Sequence, residues 1–174
     1  GYKKDGEAKG RLIVDKEAAA VVRRIFALCA AGNGPSQIAR ILKSERVLCP
    51  AMYAYRQFGT THMGLDLDKP YNWNSDTVAS MLENELYIGN TVNMRYSTRS
   101  YKDKRKVEHP REECMVVEGS HEAIIDRETW DIVQRVRQHK RRRTNMDEQN
   151  KYSGLVVCAD CGATMVLHRS HTMK

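Results

Sequence analysis

Residues 73–89 read WNSDTVASMLENELYIG, and the fold turns on how this stretch is read. Asn74 has the chemistry of an N-cap, because its side-chain oxygen accepts from the free N–H groups of a first helical turn. Trp73 and Val78 then fall at the two positions of a hydrophobic staple. Val78, Met81 and Leu82 share one face at helical spacing. Ser75, Asp76, Thr77, Ala79, Ser80 and Glu83 are left to point outward. A small polar outer face can press closely against a partner such as the DNA major groove. The plainer alternative is a surface helix of a small domain.

Working outward, Val14, Ala18, Val21, Val22, Ile25, Phe26 and Cys29 make one apolar stripe, which predicts a long helix capped by Asp15. Gly32-Asn33-Gly34 stops it, and Pro35 suits the first position of the next helix. Ile38, Ala39, Ile41 and Leu42 give that second helix its buried face. Two helices joined by a glycine-containing turn are the front half of a helix-turn-helix, although a plain helical hairpin is commoner. Between Val47 and Pro70 the periodicity is lost, and residues 47–72 read as an irregular insertion before the Trp73 helix.

After Gly89 the period shortens. Thr91, Val92, Met94 and Tyr96 predict a strand, with Cys114-Met115-Val116-Val117 as its return partner. The hairpin tip between them carries Arg99, Lys102, Lys104, Arg105 and Lys106. It reads either as a wing lying on a phosphate backbone or as a solvated loop. Asp126 is placed to cap a further helix, with Ile125 and Trp130 as its staple and Val133 and Val136 on its buried edge. That helix runs into Arg135, Arg137, Lys140, Arg141, Arg142 and Arg143. Cations near a helix C-terminus suit the macrodipole, but a run this dense without acids points to phosphate or minor-groove contact.

The formal charge of +7 favours a polyanionic partner, while its size is also ordinary for solubility. No apolar run reaches the ~20 residues a membrane span needs. No glycine-rich phosphate loop, carboxylate cluster or Ser/His/Asp set is visible. Five cysteines without a framework fit a reducing cytoplasm. Cys158 and Cys161 stand at Cys-x2-Cys spacing before Gly162. This is the form of a zinc knuckle, with a redox pair as the alternative. His168 and His171 stand close for a finger, so a second ligand pair beyond Lys174 is the better expectation. The opening Gly-Tyr-Lys-Lys reads as the interior of a longer protein.

Together these stretches resemble the C-terminal region of large serine recombinases. The match runs through Gly1-Tyr2, then Ile13-Val14-Asp15 with Val21 to Phe26, then Gly34 with Ile38 to Leu42. It continues with Trp73 to Gly89, His121 to Asp126 with Glu128-Thr129-Trp130, and Tyr152 to Leu155 leading into Cys158 to Gly162. The resemblance implies an α+β architecture: a winged-helix-like DNA-binding domain with a basic β-hairpin, followed by a truncated zinc ribbon. It divides the chain into a lead-in (1–13) from an absent catalytic domain, a recombinase domain (14–143), a linker (144–150) and the first half of the ribbon (151–174).

The function implied is recognition of attachment or element-end sites in double-stranded DNA for integration, excision or transposition. The nucleophilic serine lies elsewhere, so no residue here is assigned a catalytic role. Ser75, Thr77 and Ser80 are the candidate base contacts. Arg99, Lys102, Lys104, Arg105 and Lys106 are the candidate phosphate contacts of the hairpin. Arg141, Arg142 and Arg143 would flank the minor groove, and Cys158 and Cys161 would hold zinc. The parent protein is expected to act in the cytoplasm, at the nucleoid, as a homodimer or tetramer on DNA. The rival assignment is a winged-helix regulator with a zinc-binding partner module.

Overall fold

The computed structural model describes residues 1–6, 10–61, 65–138, 156–163 and 165, in two units that divide between Val136 and Arg137. The first unit opens with a hairpin, β1 (Tyr2–Lys4) paired antiparallel with β2 (Leu12–Val14). Residues 1–13, anticipated as a lead-in, therefore belong to this unit. Tyr2 donates its hydroxyl to the Glu122 carbonyl (2.8 Å), and its ring meets His121 edge-on.

α1 (Lys16–Ala30) buries Ala19, Val22, Ile25, Phe26 and Cys29, largely the stripe anticipated. Asp15 occupies the N-cap position but makes no side-chain cap bond. Its carboxylate instead accepts the Tyr53 hydroxyl at 2.8 Å, a tertiary partner that local spacing does not reveal. α2 (Pro35–Ser44) starts where expected; the Gly34 N–H donates to Gln37 Oε1 (2.9 Å), closing its first turn. Ile38, Ala39 and Leu42 face α1 and the core.

The expectation of an irregular 47–72 insertion is corrected by α3 (Pro50–Phe58). Pro50 sits at the first helical turn, and Gly59 ends the helix at φ 63°, the left-handed conformation that glycine adopts without penalty. The proline and glycine that interrupt the apolar pattern here are the start and stop of a helix. The excursion leaves and returns at one neck: the Cys49 N–H donates to the Pro70 carbonyl (3.0 Å) and Trp73 Nε1 to the Val47 carbonyl (3.0 Å).

α4 (Ser75–Leu82) is the helix anticipated. Asn74 Oδ1 accepts the Asp76 N–H at 3.0 Å, and Trp73 and Val78 are both buried. α4 packs chiefly on α2 and also on α1. A 3-10 turn (Glu85–Ile88) follows, capped by Asn84, whose Oδ1 accepts the Leu86 N–H at 3.1 Å.

β3 (Thr91–Asn93) pairs with β6 (Met115–Val117) in the anticipated way, Val92 opposite Val116. Met94 (φ 62°) breaks what the sequence suggested as one strand. Beyond the break a second ladder forms, β4 (Tyr96–Thr98) with β5 (Lys106–Glu108), Ser97 opposite Val107. α5 (Arg127–Gln138) is capped by Asp126, whose Oδ2 accepts the Thr129 N–H at 2.7 Å and Oδ1 the Thr129 hydroxyl at 2.9 Å.

One core joins α1, α2, α4, the 3-10 turn and α5. Phe26 is its centre, stacked on Trp130 (centroids 5.8 Å apart) and edge-on to Tyr87 (6.0 Å). Full burial of side chains such as Ile25, Phe26, Leu42 and Val133 stabilises by about 1.5–3 kcal/mol each. The mixed α+β class is as anticipated. Among the described residues no helix is long and apolar enough to cross a membrane.

Candidate nucleic-acid interface

The outer face of α4 is small and polar because its bulky residues are spent on the core. Val78 and Leu82 are fully buried, and Asp76, Thr77, Ser80, Met81 and Asn84 line a shallow depression of about 390 Å³. Two of the three anticipated base-contact residues, Thr77 and Ser80, therefore share one surface. Ser75 does not line it; it is half-buried and its Oγ lies 3.4 Å from both Asn74 Oδ1 and Asp76 Oδ1. Asp76 and Asn84 complete the surface and were not among the residues chosen from sequence. Asn84 was legible in principle, because an asparagine just beyond an apolar run is a capping signal, but the element it caps is a turn too short to show periodicity.

The helix is held firmly at both ends. The Trp73 indole fixes its start to the exit of α2, and Gln134 Nε2 on α5 donates to the Leu82 carbonyl at 2.8 Å, satisfying one of the orphan acceptors at its end.

The basic tip is carried by the β4–β5 ladder. Arg99, Lys102, Lys104 and Lys106 are exposed, and among the described residues no carboxylate pairs with them. Arg105 differs: its Nε lies 3.1 Å from Asp103 Oδ1. The same Asp103 accepts the Arg105 N–H (3.2 Å), and its own N–H meets Ser100 Oγ (3.0 Å), so the acid shapes the turn. Tyr101 stands almost fully in solvent at the tip. Where the ribbon breaks, His109 bridges its two sides, with Nε2 at 2.7 Å from Ser97 Oγ and Nδ1 at 2.9 Å from Glu113.

Behind the ribbon, a cavity of about 440 Å³ is lined by Arg95, Arg111, Arg127, Glu83, Glu85 and Gln134, among others. Arg111 pairs with Glu85, and Arg127 with Asp131 at 3.3 Å. The opposing charges leave this cavity close to neutral.

In the second unit the Cys158 N–H donates to the Ala163 carbonyl (2.9 Å) and the Gly162 N–H to the Cys158 carbonyl (3.0 Å), with Gly162 at φ 69°. The backbone N–H groups of Cys161 and Asp160, with the Cys161 side chain, bond to the Cys158 sulfur and hold its thiol below the ordinary cysteine value. Among the described residues no group of three or more His, Cys, Asp or Glu side chains converges to hold a metal. Arg141, Arg142, Arg143, His168 and His171 lie outside the described residues.

A family model described as Recombinase matches residues 16–150. The chain belongs to the recombinase family. The recombinase membership that the sequence resemblance implied is thereby borne out. This recombinase chain is 31% identical, over 93 residues and 53% of its length, to the uncharacterized protein YefB of Bacillus subtilis strain 168, and spans 31% of that relative's length. Among solved structures it is similar to an LSR–DNA complex, with a TM-score of 0.49 and 23% identity over 100% of this chain and 42% of the other. It is also similar to a structure concerned with the sequence requirements of the Listeria innocua prophage attP site. There the TM-score is 0.47 and the identity 23%, over 94% and 53% of the two chains.

Proposed function

We propose that this chain is the DNA-binding region of a large serine recombinase, recognising double-stranded attachment or element-end sites while a separate domain of the parent protein breaks and rejoins the strands. The observation that carries this reading is the recombinase match across residues 16–150, which takes in α1 to α5 and the basic ribbon. In this reading the first unit follows a winged-helix plan. α2 and α4 form the helix-turn-helix with α3 inserted between them, α4 enters the major groove, and the ribbon is the wing on the phosphates. Arg141, Arg142 and Arg143 are the minor-groove or phosphate contacts of this reading, and the parent acts as a homodimer or tetramer.

Zinc is the metal this reading implies. The Cys158–Cys161 turn fits half of such a site, because its backbone donors favour the thiolate that a metal ligand must be. When bound, the ion supplies a structural cross-link and no reaction chemistry. Cys158 and Cys161 would provide two of its four ligands, as the first half of a zinc ribbon.

The test is fluorescence anisotropy of the whole chain on a labelled duplex across a salt series. Binding at low salt that weakens steeply as salt rises is the expected result. Absence of binding to any duplex at low salt overturns the reading.

A further inference from the structure

We infer that Asp76 and Ser80 of α4, with Asn84 just beyond its end, form a base-reading row, Asp76 presenting acceptors at one end and Asn84 presenting donors at the other. This rests on the DNA-binding reading above and names how that surface discriminates bases.

The three residues line the same depression: Asp76 and Ser80 stand one turn apart on α4, and Asn84 follows just beyond its C-cap, Glu83. Among the described residues no lysine or arginine lines the depression. A surface that carries a carboxylate and no cation is repelled by phosphates and is matched by exocyclic amines, which places it on base edges rather than on the backbone.

The hydrogen-bonding capacity of each side chain then fixes what it can read. The Leu86 N–H can be met only by an oxygen, so Asn84 Oδ1 is committed to it at 3.1 Å and the Nδ2 group is turned away from that bond. The two-bond contact with adenine, which needs the amide oxygen and nitrogen together, is disfavoured. What remains is donation to guanine O6 or N7, or to thymine O4. Asp76 is the converse. Among the described residues its side-chain partner is the Ser75 hydroxyl at 3.4 Å from Oδ1, and an ionised carboxylate only accepts. It suits the amino groups of cytosine or adenine. Ser80 between them both donates and accepts, and Met81 and the Thr77 methyl give apolar contact of the kind a thymine methyl takes.

The experiment is selection from a randomised duplex pool with the whole chain and with two variants. Asn84→Asp keeps the oxygen that caps Leu86 and exchanges the free donors for acceptors. Asp76→Asn adds donors at the other end of the row. Thermal unfolding of both variants within a few degrees of the parent shows the fold intact. The expected result is a motif in which Asn84→Asp exchanges guanine or thymine for cytosine or adenine at one position. There it loses roughly ten-fold in affinity for the parent motif. Asp76→Asn relaxes a different position of the motif. If both variants select the parent motif with unchanged affinity, or if the parent binds duplex DNA but selects no motif, the inference is overturned and the DNA-binding reading stands. If the parent binds no duplex, both fall.

Discussion

Asn74, Asn84 and Asp126 do the same work at three element starts, each accepting a backbone N–H that the first turn cannot satisfy internally. Asp126 adds a charge to that bond. The Thr129 N–H, and after it the Thr129 hydroxyl, hold its carboxyl below the ordinary aspartate value. A lowered folded-state value stabilises the fold at pH above the unfolded aspartate value, and the gain is lost as pH falls through the lowered one. Asp126→Asn should therefore flatten the acid limb of melting temperature against pH, measured from neutral pH downwards.

Gly89 makes a different demand. Its φ is 85°, and a Cβ there would lie 2.7 Å from the His121 carbonyl oxygen, in the segment whose Ser120, Ile124 and Ile125 N–H groups donate to the Gly89 and Tyr87 carbonyls. Gly89→Ala should destabilise by about 1–3 kcal/mol in urea unfolding. Asn74 and Asp126 were legible in the sequence because a cap and its staple lie within a few residues of each other. Asp15 misled because Tyr53, which takes its carboxylate, is remote in sequence. Burial and the Asp15 bond together push the Tyr53 hydroxyl up to about 12, so it remains a donor throughout the physiological range.

At the scale of elements, four of the five helices among the described residues follow directly from apolar period and end signals. α3 was missed because it buries only Met52, so it has no stripe to read; its evidence was confined to Pro50 and Gly59. The ribbon was legible as a pairing of 91–93 with 115–117 but not as two ladders, because the left-handed turn at Met94 has no sequence signature in a methionine. What couples α2 to α4 is the Trp73 indole. Trp73→Phe keeps most of the buried ring and leaves the Val47 carbonyl without its partner, so it should cost about 1–2 kcal/mol in urea unfolding.

Across the whole molecule, the +7 charge is not spread evenly. The ribbon tip concentrates exposed cations: among the described residues Arg99, Lys102, Lys104 and Lys106 pair with no carboxylate, while Arg105 is held by the turn acid. Replacing those four with glutamine should flatten the slope of log affinity against log salt by about 3–4. It should move the unfolding free energy by no more than about 0.5 kcal/mol, since exposed side chains away from packing carry little stability. A steep slope retained in the quadruple variant would assign the phosphate contacts elsewhere. The family and the basic hairpin were legible from the order of short motifs along the chain. The membership of the α4 surface was not, because helical spacing gives a face but not which hydroxyls and amides are already engaged.

The neck that closes beneath α3 also bears on how the molecule assembles. α1 and α2 are neighbours in sequence and can meet at once, whereas α4 must wait for residues 45–74 to loop back. Closing about thirty residues rather than about four costs roughly 2 kcal/mol more in chain entropy. α4 is then completed by Gln134 of α5 on its last turn, while Trp130 of the same helix closes the core against Phe26 of α1. On a ribosome, which releases the chain from its N-terminus, the α1–α2 pair can form while the chain is still growing. The face of α4 reaches its final shape only after α5 has emerged, when nearly all of this unit has been made.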